Sequence, residues 1–110
     1  MCNYIFKICL YEEWKEALKL GVFHGTKADK KDGFIHFSTS SQLQDTLQFH
    51  YKHVQKLVLL KVNANKKKLI WEKTRNSEIF PHLYGALKTI CVEKVYFLSL
   101  DENKNHIIPF

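Results

Sequence analysis

Residues Gly33-Phe34-Ile35-His36-Phe37-Ser38-Thr39-Ser40-Ser41 place an imidazole, several hydroxyls and a helix start within one short run. Alternate side chains of a strand share a face, so Phe34, His36 and Ser38 point one way and Ile35, Phe37 and Thr39 the other. A helix opening at Ser40 and Ser41 would present free backbone N–H groups and a partial positive charge, which suit phosphate or carboxylate. A titratable ring, an alcohol and an anion-attracting helix end would then meet. The bland alternative is a strand-end His that hydrogen-bonds a neighbouring turn.

A second cluster is Phe80-Pro81-His82-Leu83-Tyr84-Gly85. Pro81 fixes one torsion and Gly85 permits a sharp bend, which predicts an aromatic-rich corner. His82 and Tyr84 carry polar tips on apolar bodies, suited to a nucleobase or sugar. Glu72 ends a short apolar run, where it could hold a ribose hydroxyl or move a proton; its plain alternative is a strand-end carboxylate paired with a Lys. His50 and His53 stand three apart on one helix, yet zinc sites take three or four ligands at recognisable spacing, so no metal is expected. No G-x-G-x-x-G, Walker or G-x-S-x-G pattern occurs, leaving a P-loop or redox cofactor without support.

The elements that must position these groups follow from periodicity. Tyr4 to Leu10 alternates as a strand, with Ile5, Lys7 and Cys9 on one face. Glu12 and Glu13 open a helix whose stripe is Trp14, Ala17 and Leu18, and Gly21 stops it. Lys27 to Gly33 reads as a polar loop closing on Asp32-Gly33. Ser41-Gln42-Leu43-Gln44 matches a capping box, and Leu43, Leu47, Tyr51 and Val54 continue at helical spacing. Leu57 to Val62 predicts a central strand covered on both faces. Leu69 to Glu72 and Lys94 to Leu100 are further strands, and Asp101 to Phe110 is a loosely specified tail. Two helices in the first half and strands clustered afterwards make an α+β class.

The chain has 110 residues, 45% apolar and 14% aromatic, enough for one domain spanning 1–110 with its core at about 3–100. Its formal charge is +6, from 17 Lys and Arg against 11 Asp and Glu, but Arg75 is the sole Arg. Arg is the better residue for bidentate phosphate and base-edge recognition, so RNA is weakly supported as a partner. No stretch approaches a membrane span, and no signal peptide is apparent. Three cysteines, Cys2, Cys9 and Cys91, without a C-x-x-C pair suggest a reduced, cytoplasmic setting.

Tyr4-Ile5-Phe6-Lys7-Ile8, Trp14, Asp32-Gly33-Phe34-Ile35-His36-Phe37-Ser38-Thr39, Leu57-Val58-Leu59-Leu60, Trp71-Glu72 and Phe80-Pro81-His82-Leu83-Tyr84-Gly85 occur in the same order in a small bacterial family. The chain resembles that family, catalogued as domain of unknown function nine-five-two, from about residue 3 to residue 100. The family resembles the ADP-ribosyltransferase fold, which implies two small packed β-sheets with flanking helices and a cleft for NAD. The order is also similar to NAD-dependent RNA 2′-phosphotransferase. The resemblance puts His36 and Ser38 on the second strand and Lys7 at the first-strand position. It matches His24-Gly25-Thr26 to a His-Gly-Thr tripeptide in the wrong register, and it fixes no late acidic residue among Glu72 and Glu78.

These readings converge on one expectation. A cleft near Lys7, His36, Ser38, Thr39, Ser40, Glu72, His82 and Tyr84 should bind NAD or a related nucleotide. Lys7 and the Ser40 helix start would hold phosphates, His36 a ribose, and Tyr84 or His82 the base. His36, Glu72 and His82 would carry any ADP-ribosyl-transfer-type chemistry. The alternative is a non-catalytic RNA- or protein-binding module using the basic surface.

Overall fold

In the computed structural model, which describes residues 3–66, 68–74 and 77–110, the apolar run after Lys56 becomes β4 (Leu57–Asn63). It lies between β1 (Tyr4–Leu10) and β8 (Val92–Phe97) in a three-stranded antiparallel sheet. Both faces of this sheet are covered, as a continuous apolar run requires. Ile5, Cys9, Val58, Leu60 and Val62 pack with Trp14 and Ala17 of α1 (Tyr11–Leu20). Phe6, Ile8, Leu57 and Leu59 pack with Leu43 and Leu47 of α3 (Leu43–His50). Each buried Val, Leu, Ile or Phe among them contributes about 1.5–3 kcal/mol relative to exposure.

Helix α1 starts where the Leu10 N–H donates to Glu13 Oε1 at 2.8 Å and stops at Gly21, whose φ of 77° is the left-handed cap. Leu18 departs from the expected stripe and is exposed. The second and third helices also differ from the sequence reading. The polar segment after Thr26 is a helix, α2 (Lys27–Asp32), and Gly33 caps it at φ 89°. Helix α3 ends at His50, and the chain turns so that His53 sits at φ 64° with its Nδ1 2.8 Å from the Lys104 carbonyl. A 3-10 turn over Ser40–Gln42 precedes α3. Its box is closed by Gln42 Oε1, which accepts from the Thr39 N–H at 3.0 Å, two residues before the expected position.

A second three-stranded antiparallel sheet has the order β3-β6-β5, from β3 (Ile35–His36), β5 (Ile70–Lys73) and β6 (Ile79–Leu83). The expected aromatic corner is therefore the central strand β6, and the bend comes after it, at Gly85 with φ 139°. Pro81 faces Phe37, one residue past the end of β3, so its missing N–H falls outside the regular ladder while its carbonyl accepts from the Phe37 N–H at 3.0 Å. The two sheets meet where Phe6 and Ser38 exchange a pair of backbone hydrogen bonds, each 2.8 Å.

Two short pairs complete the fold. β2 (Val22–Phe23) joins β7 (Leu87–Lys88), and β9 (Ser99–Leu100) joins β10 (His106–Ile107). The expected loose tail is thus folded back: His106 Nε2 lies 2.7 Å from the Val54 carbonyl, and Phe110 stacks on Phe6 at 5.0 Å. The architecture is mixed α and β, several small antiparallel sheets with few helices. Among the described residues no helix is long and apolar enough to cross a membrane.

Candidate functional site

The register of the second sheet decides which side chains can meet. His36 is directly opposite His82, Ile70 is opposite His82, and Glu72 is opposite Phe80. Opposed residues share a face and alternate residues repeat it. One face therefore carries Phe34, His36 and Ser38, then Phe80, His82 and Tyr84, then Ile70, Glu72 and Thr74. Two structures are built on it, and His36 belongs to both.

The first is a hollow of about 410 Å³ whose wall draws on β1, α2, β3, α3 and β6. It brings together Lys7, Asp29, His36, Ser38, Thr46 and Thr74. Lys7 is 4% exposed and Asp29 2%, and their Nζ–Oδ2 distance is 2.7 Å. Asp29 is saturated. Oδ2 also accepts from the Thr26 N–H at 2.9 Å, and Oδ1 accepts from the His36 N–H at 3.2 Å. Thr26 Oγ1 in return accepts from the Asp29 N–H at 3.1 Å, so the pair caps α2 while holding β1 and β3. The Thr46 hydroxyl donates to the Gln42 carbonyl at 3.0 Å. Its oxygen therefore accepts from Ser38 Oγ at 3.1 Å, and Ser38 keeps its lone pairs for a donor. Thr74 Oγ1 is buried and has no hydrogen-bond partner among the described residues.

His36 lines this hollow as a neutral ring. Burial, then the neighbouring His82 and Lys7, push its pKa down to about 4, against the smaller upward pull of Asp29 and Asp32. Its Nε2 lies 3.6 Å from Asp32 Oδ2, beyond a hydrogen bond. The hollow therefore contains a matched ion pair, a neutral imidazole and hydroxyls. That set suits a hydroxyl-rich group better than a phosphate, because Lys7 has no unmatched charge to give. Lys7, expected to hold phosphate, is placed in a buried ion pair with Asp29.

The second structure is a ring cluster. Phe34 stacks on His82 at 4.1 Å and lies 4.7 Å from His36 and 5.1 Å from Tyr84, centroid to centroid. His36 meets His82 edge-on at 4.5 Å. Glu72 Oε1 sits 2.6 Å from His82 Nδ1 and accepts from the Tyr84 hydroxyl at 2.7 Å. Those two hydrogen bonds hold the Glu72 carboxyl below its usual range, and the same contact raises Tyr84. His82 is 2% exposed, and its Nε2 has no partner among the described residues.

Thr39 and Ser40 are not part of this face. They line a different hollow, of about 720 Å³, with Tyr4, Lys61, Trp71 and Tyr96. The strand alternation already turned Thr39 away from His36, and the helix start follows it. The expected grouping of Thr39 and Ser40 with His36 is corrected accordingly. Cys9 is a core thiol, pushed by burial up to about 12. Among the described residues no group of three or more His, Cys, Asp or Glu could hold a metal ion. Asp29, Phe34 and Thr74 were missed as site residues. Asp29 had a signal in Thr26-Lys27-Ala28-Asp29, a capping-box spacing inside an otherwise polar segment. Thr74 had none.

A family model described as "Protein of unknown function (DUF952)" matches residues 8–95. The crystal structure of protein CC0527 from Caulobacter crescentus superposes with a TM-score of 0.90 at 36% identity, covering 96% of this chain and 94% of that one. A double-mutant form of the same protein gives 0.89 at 36% identity over the same shares. Its solution NMR structure gives 0.84 at 38% identity, covering 93% and 90%. No curated protein matches the chain.

Proposed function

The chain belongs to the family described as Protein of unknown function (DUF952), a membership that assigns no activity, and from the geometry we propose that it binds NAD or a related nucleotide through its sugar in the His36 hollow. The observation that carries this reading is the convergence of His36 and Ser38 with Thr74, distant in sequence, on one hollow, where Thr74 Oγ1 is a buried hydroxyl with no partner among the described residues. A buried polar atom without a partner costs about 1–3 kcal/mol, and a ligand hydroxyl is the kind of group that removes that cost. The volume fits the roughly 300–1,000 Å³ of small-molecule sites. Neutral His36 and the Ser38 lone pairs suit ribose hydroxyls. The two joined sheets with helices on both sides are compatible with an ADP-ribosyltransferase-like architecture. In that architecture the chemistry would be cleavage of the nicotinamide–ribose bond with transfer of ADP-ribose to an acceptor.

The test is a thermal-shift series with NAD, ADP-ribose, AMP and short RNA. A ligand of the native state raises the melting temperature with occupancy. NAD or another nucleotide should raise it for the native chain, and His36→Ala should abolish the shift. The absence of a shift with every nucleotide at millimolar concentration would overturn the reading.

A second reading is favoured by the other hollow. Tyr4, Trp71 and Tyr96 form part of its lining, and the Lys61 ammonium lies 4.0 Å from the Tyr4 ring centroid. Stacking rings beside a cation suit single-stranded RNA. That binding should weaken steeply with salt, should fail on Trp71→Ala, and should be indifferent to His36→Ala.

A further inference from the structure

Asp29 and Asp32 both line the His36 hollow, and the fold uses them differently. Asp29 holds Lys7, Thr26 and His36. Asp32 closes α2 just before Gly33, and its carboxylate makes no hydrogen bond among the described residues. A helix C-terminus carries partial negative charge, so a carboxylate there gains nothing from its own helix.

The group facing Asp32 is His36, whose Nε2 is 3.6 Å from Asp32 Oδ2. The ring is neutral, and a lone pair turned towards a carboxylate would be repelled, so Nε2 carries the hydrogen. A donor and an acceptor therefore stand side by side, too far apart to satisfy each other. With 36% and 47% of their side chains exposed, both can be reached from solvent. A ligand that bridges them must offer an acceptor and a donor on neighbouring atoms. A vicinal diol does so, because each hydroxyl can donate or accept and the two oxygens lie slightly closer together than this gap. A phosphate offers acceptors only and leaves Asp32 unanswered.

Charge acts in the same direction. Apart from the imidazoles of His36 and His50, the ionisable side chains of opposite sign on the lining are Lys7 against Asp29 and Asp32. Lys7 and Asp29 neutralise each other at 2.7 Å, so the charge of Asp32 is the remainder. Lys30 and Lys31 of α2 are exposed and off the lining, where water and salt screen them. A phosphate beside Asp32 would meet a like charge, which is an effective way of rejecting a wrong ligand.

We propose that Asp32 is a specificity-determining residue of the hollow: with His36 Nε2 it takes the free vicinal diol of a ribose, and it excludes a ribose whose 2′ or 3′ oxygen carries phosphate. This rests on the nucleotide reading. It goes beyond that reading by naming the sugar that is accepted, the sugar that is refused and the residue that separates them.

Three isomers of equal charge test it by titration calorimetry at pH 8, above the ordinary imidazole value of about 6.5. The diol is free in 5′-AMP and is occupied by phosphate in 2′-AMP and 3′-AMP. The native chain should bind 5′-AMP about tenfold or more tightly than either isomer. It should also bind 5′-AMP more tightly than 2′-deoxy-5′-AMP, which lacks one hydroxyl. Asp32→Asn should bring the three isomers within about threefold of one another, chiefly by strengthening 2′-AMP and 3′-AMP. Its melting temperature should not fall, because the carboxylate serves no hydrogen bond of the fold. If that variant fails to fold, the isomer comparison on the native chain decides alone. Binding of 2′-AMP or 3′-AMP as tight as that of 5′-AMP, or an undiminished gap in Asp32→Asn, would overturn the role of Asp32 and leave the nucleotide reading intact. No binding of any nucleotide to the native chain would overturn both.

Discussion

Asp29 and Glu72 both anchor side chains around His36, and they differ in what they leave open. Asp29 is sealed at 2% exposure, and each of its oxygens is matched inside the protein by Lys7, Thr26 and His36. Glu72 is 38% exposed, and the imidazole it holds ends in a nitrogen with no partner among the described residues. The Asp29 network joins groups of the protein to one another and sets the positions of β1, α2 and β3. An unsaturated one retains a directed acceptor. The comparison separates the part of this face that maintains the fold from the part that can recognise a molecule, although both carboxylates adjoin the same His.

The largest effect should come from breaking the saturated side. Asp29→Ala leaves the Lys7 ammonium buried without its counter-charge, which costs about 3–5 kcal/mol in comparable sites. The Thr26 and His36 N–H groups lose their acceptor as well. Urea denaturation should show the loss as a lower midpoint. A cost near that of an exposed pair, under about 1 kcal/mol, would mean that the network is not sealed in solution.

Gly25→Ala should follow. Gly25 has φ +104°, and an added Cβ would lie 2.7 Å from Asp29 Cβ, so the side chain would push against the buried carboxylate's own stem. The backbone conformation alone costs roughly 1–3 kcal/mol for a residue other than Gly. Thermal denaturation of Gly25→Ala should show a clear fall, and no fall would place Asp29 elsewhere.

His36 gives a pH-dependent effect that links the two networks. Its folded pKa of about 4 lies below the ordinary 6.5. The unfolded chain therefore takes up the proton first as the pH falls. The contribution of neutral His36 is complete above pH 6.5 and is lost progressively from 6.5 towards 4. Glu72, whose carboxyl is held low, adds a loss only below its ordinary value of 4.5. Stability measured between pH 7 and 5 should thus fall in the native chain and flatten in His36→Gln. An unchanged slope in that variant would detach His36 from the buried side of the hollow.

The two networks were unequally legible in the sequence. Strands β1 and β4 and the stop at Gly21 could be read, because apolar alternation, a continuous apolar run and a lone Gly are local signals. Helix α2 could not, since Lys27–Asp32 is six residues long, five of them charged, and is held by Asp29 reaching Lys7, twenty-two positions earlier. Strand β6 was hidden by Pro81, whose usual exclusion from central strands is relieved here because its missing N–H faces Phe37, past the end of β3. His36 and Ser38 were legible from alternation, and Lys7 from the family resemblance alone. The role of Phe34 was not, because a Phe next to a His in a strand is the ordinary signature of packing. Its partners His82 and Tyr84 arrive some fifty residues later through a register that no local pattern encodes.

Glu72→Gln should have the smallest effect on stability and the sharpest on the comparison. The side chain reaches solvent, so its loss of charge needs no buried compensation, and the denaturation midpoint should stay where it was. The chemistry at its partners should change. The Tyr84 hydroxyl, held above the ordinary value of 10 by donating to the carboxylate, should titrate closer to 10 when its acceptor is a neutral amide. The amide can also donate to His82 Nδ1, in which case Nε2 acquires the hydrogen and the buried acceptor becomes a donor. Nitrogen-15 NMR of the His82 ring distinguishes the two tautomers, and ultraviolet titration reads Tyr84. A midpoint that drops as far as in Asp29→Ala would show that both carboxylates serve the fold alike. An unmoved midpoint with a shifted Tyr84 titration and a mixed His82 tautomer would show that Glu72 spends its hydrogen bonds on the electronic state of its neighbours.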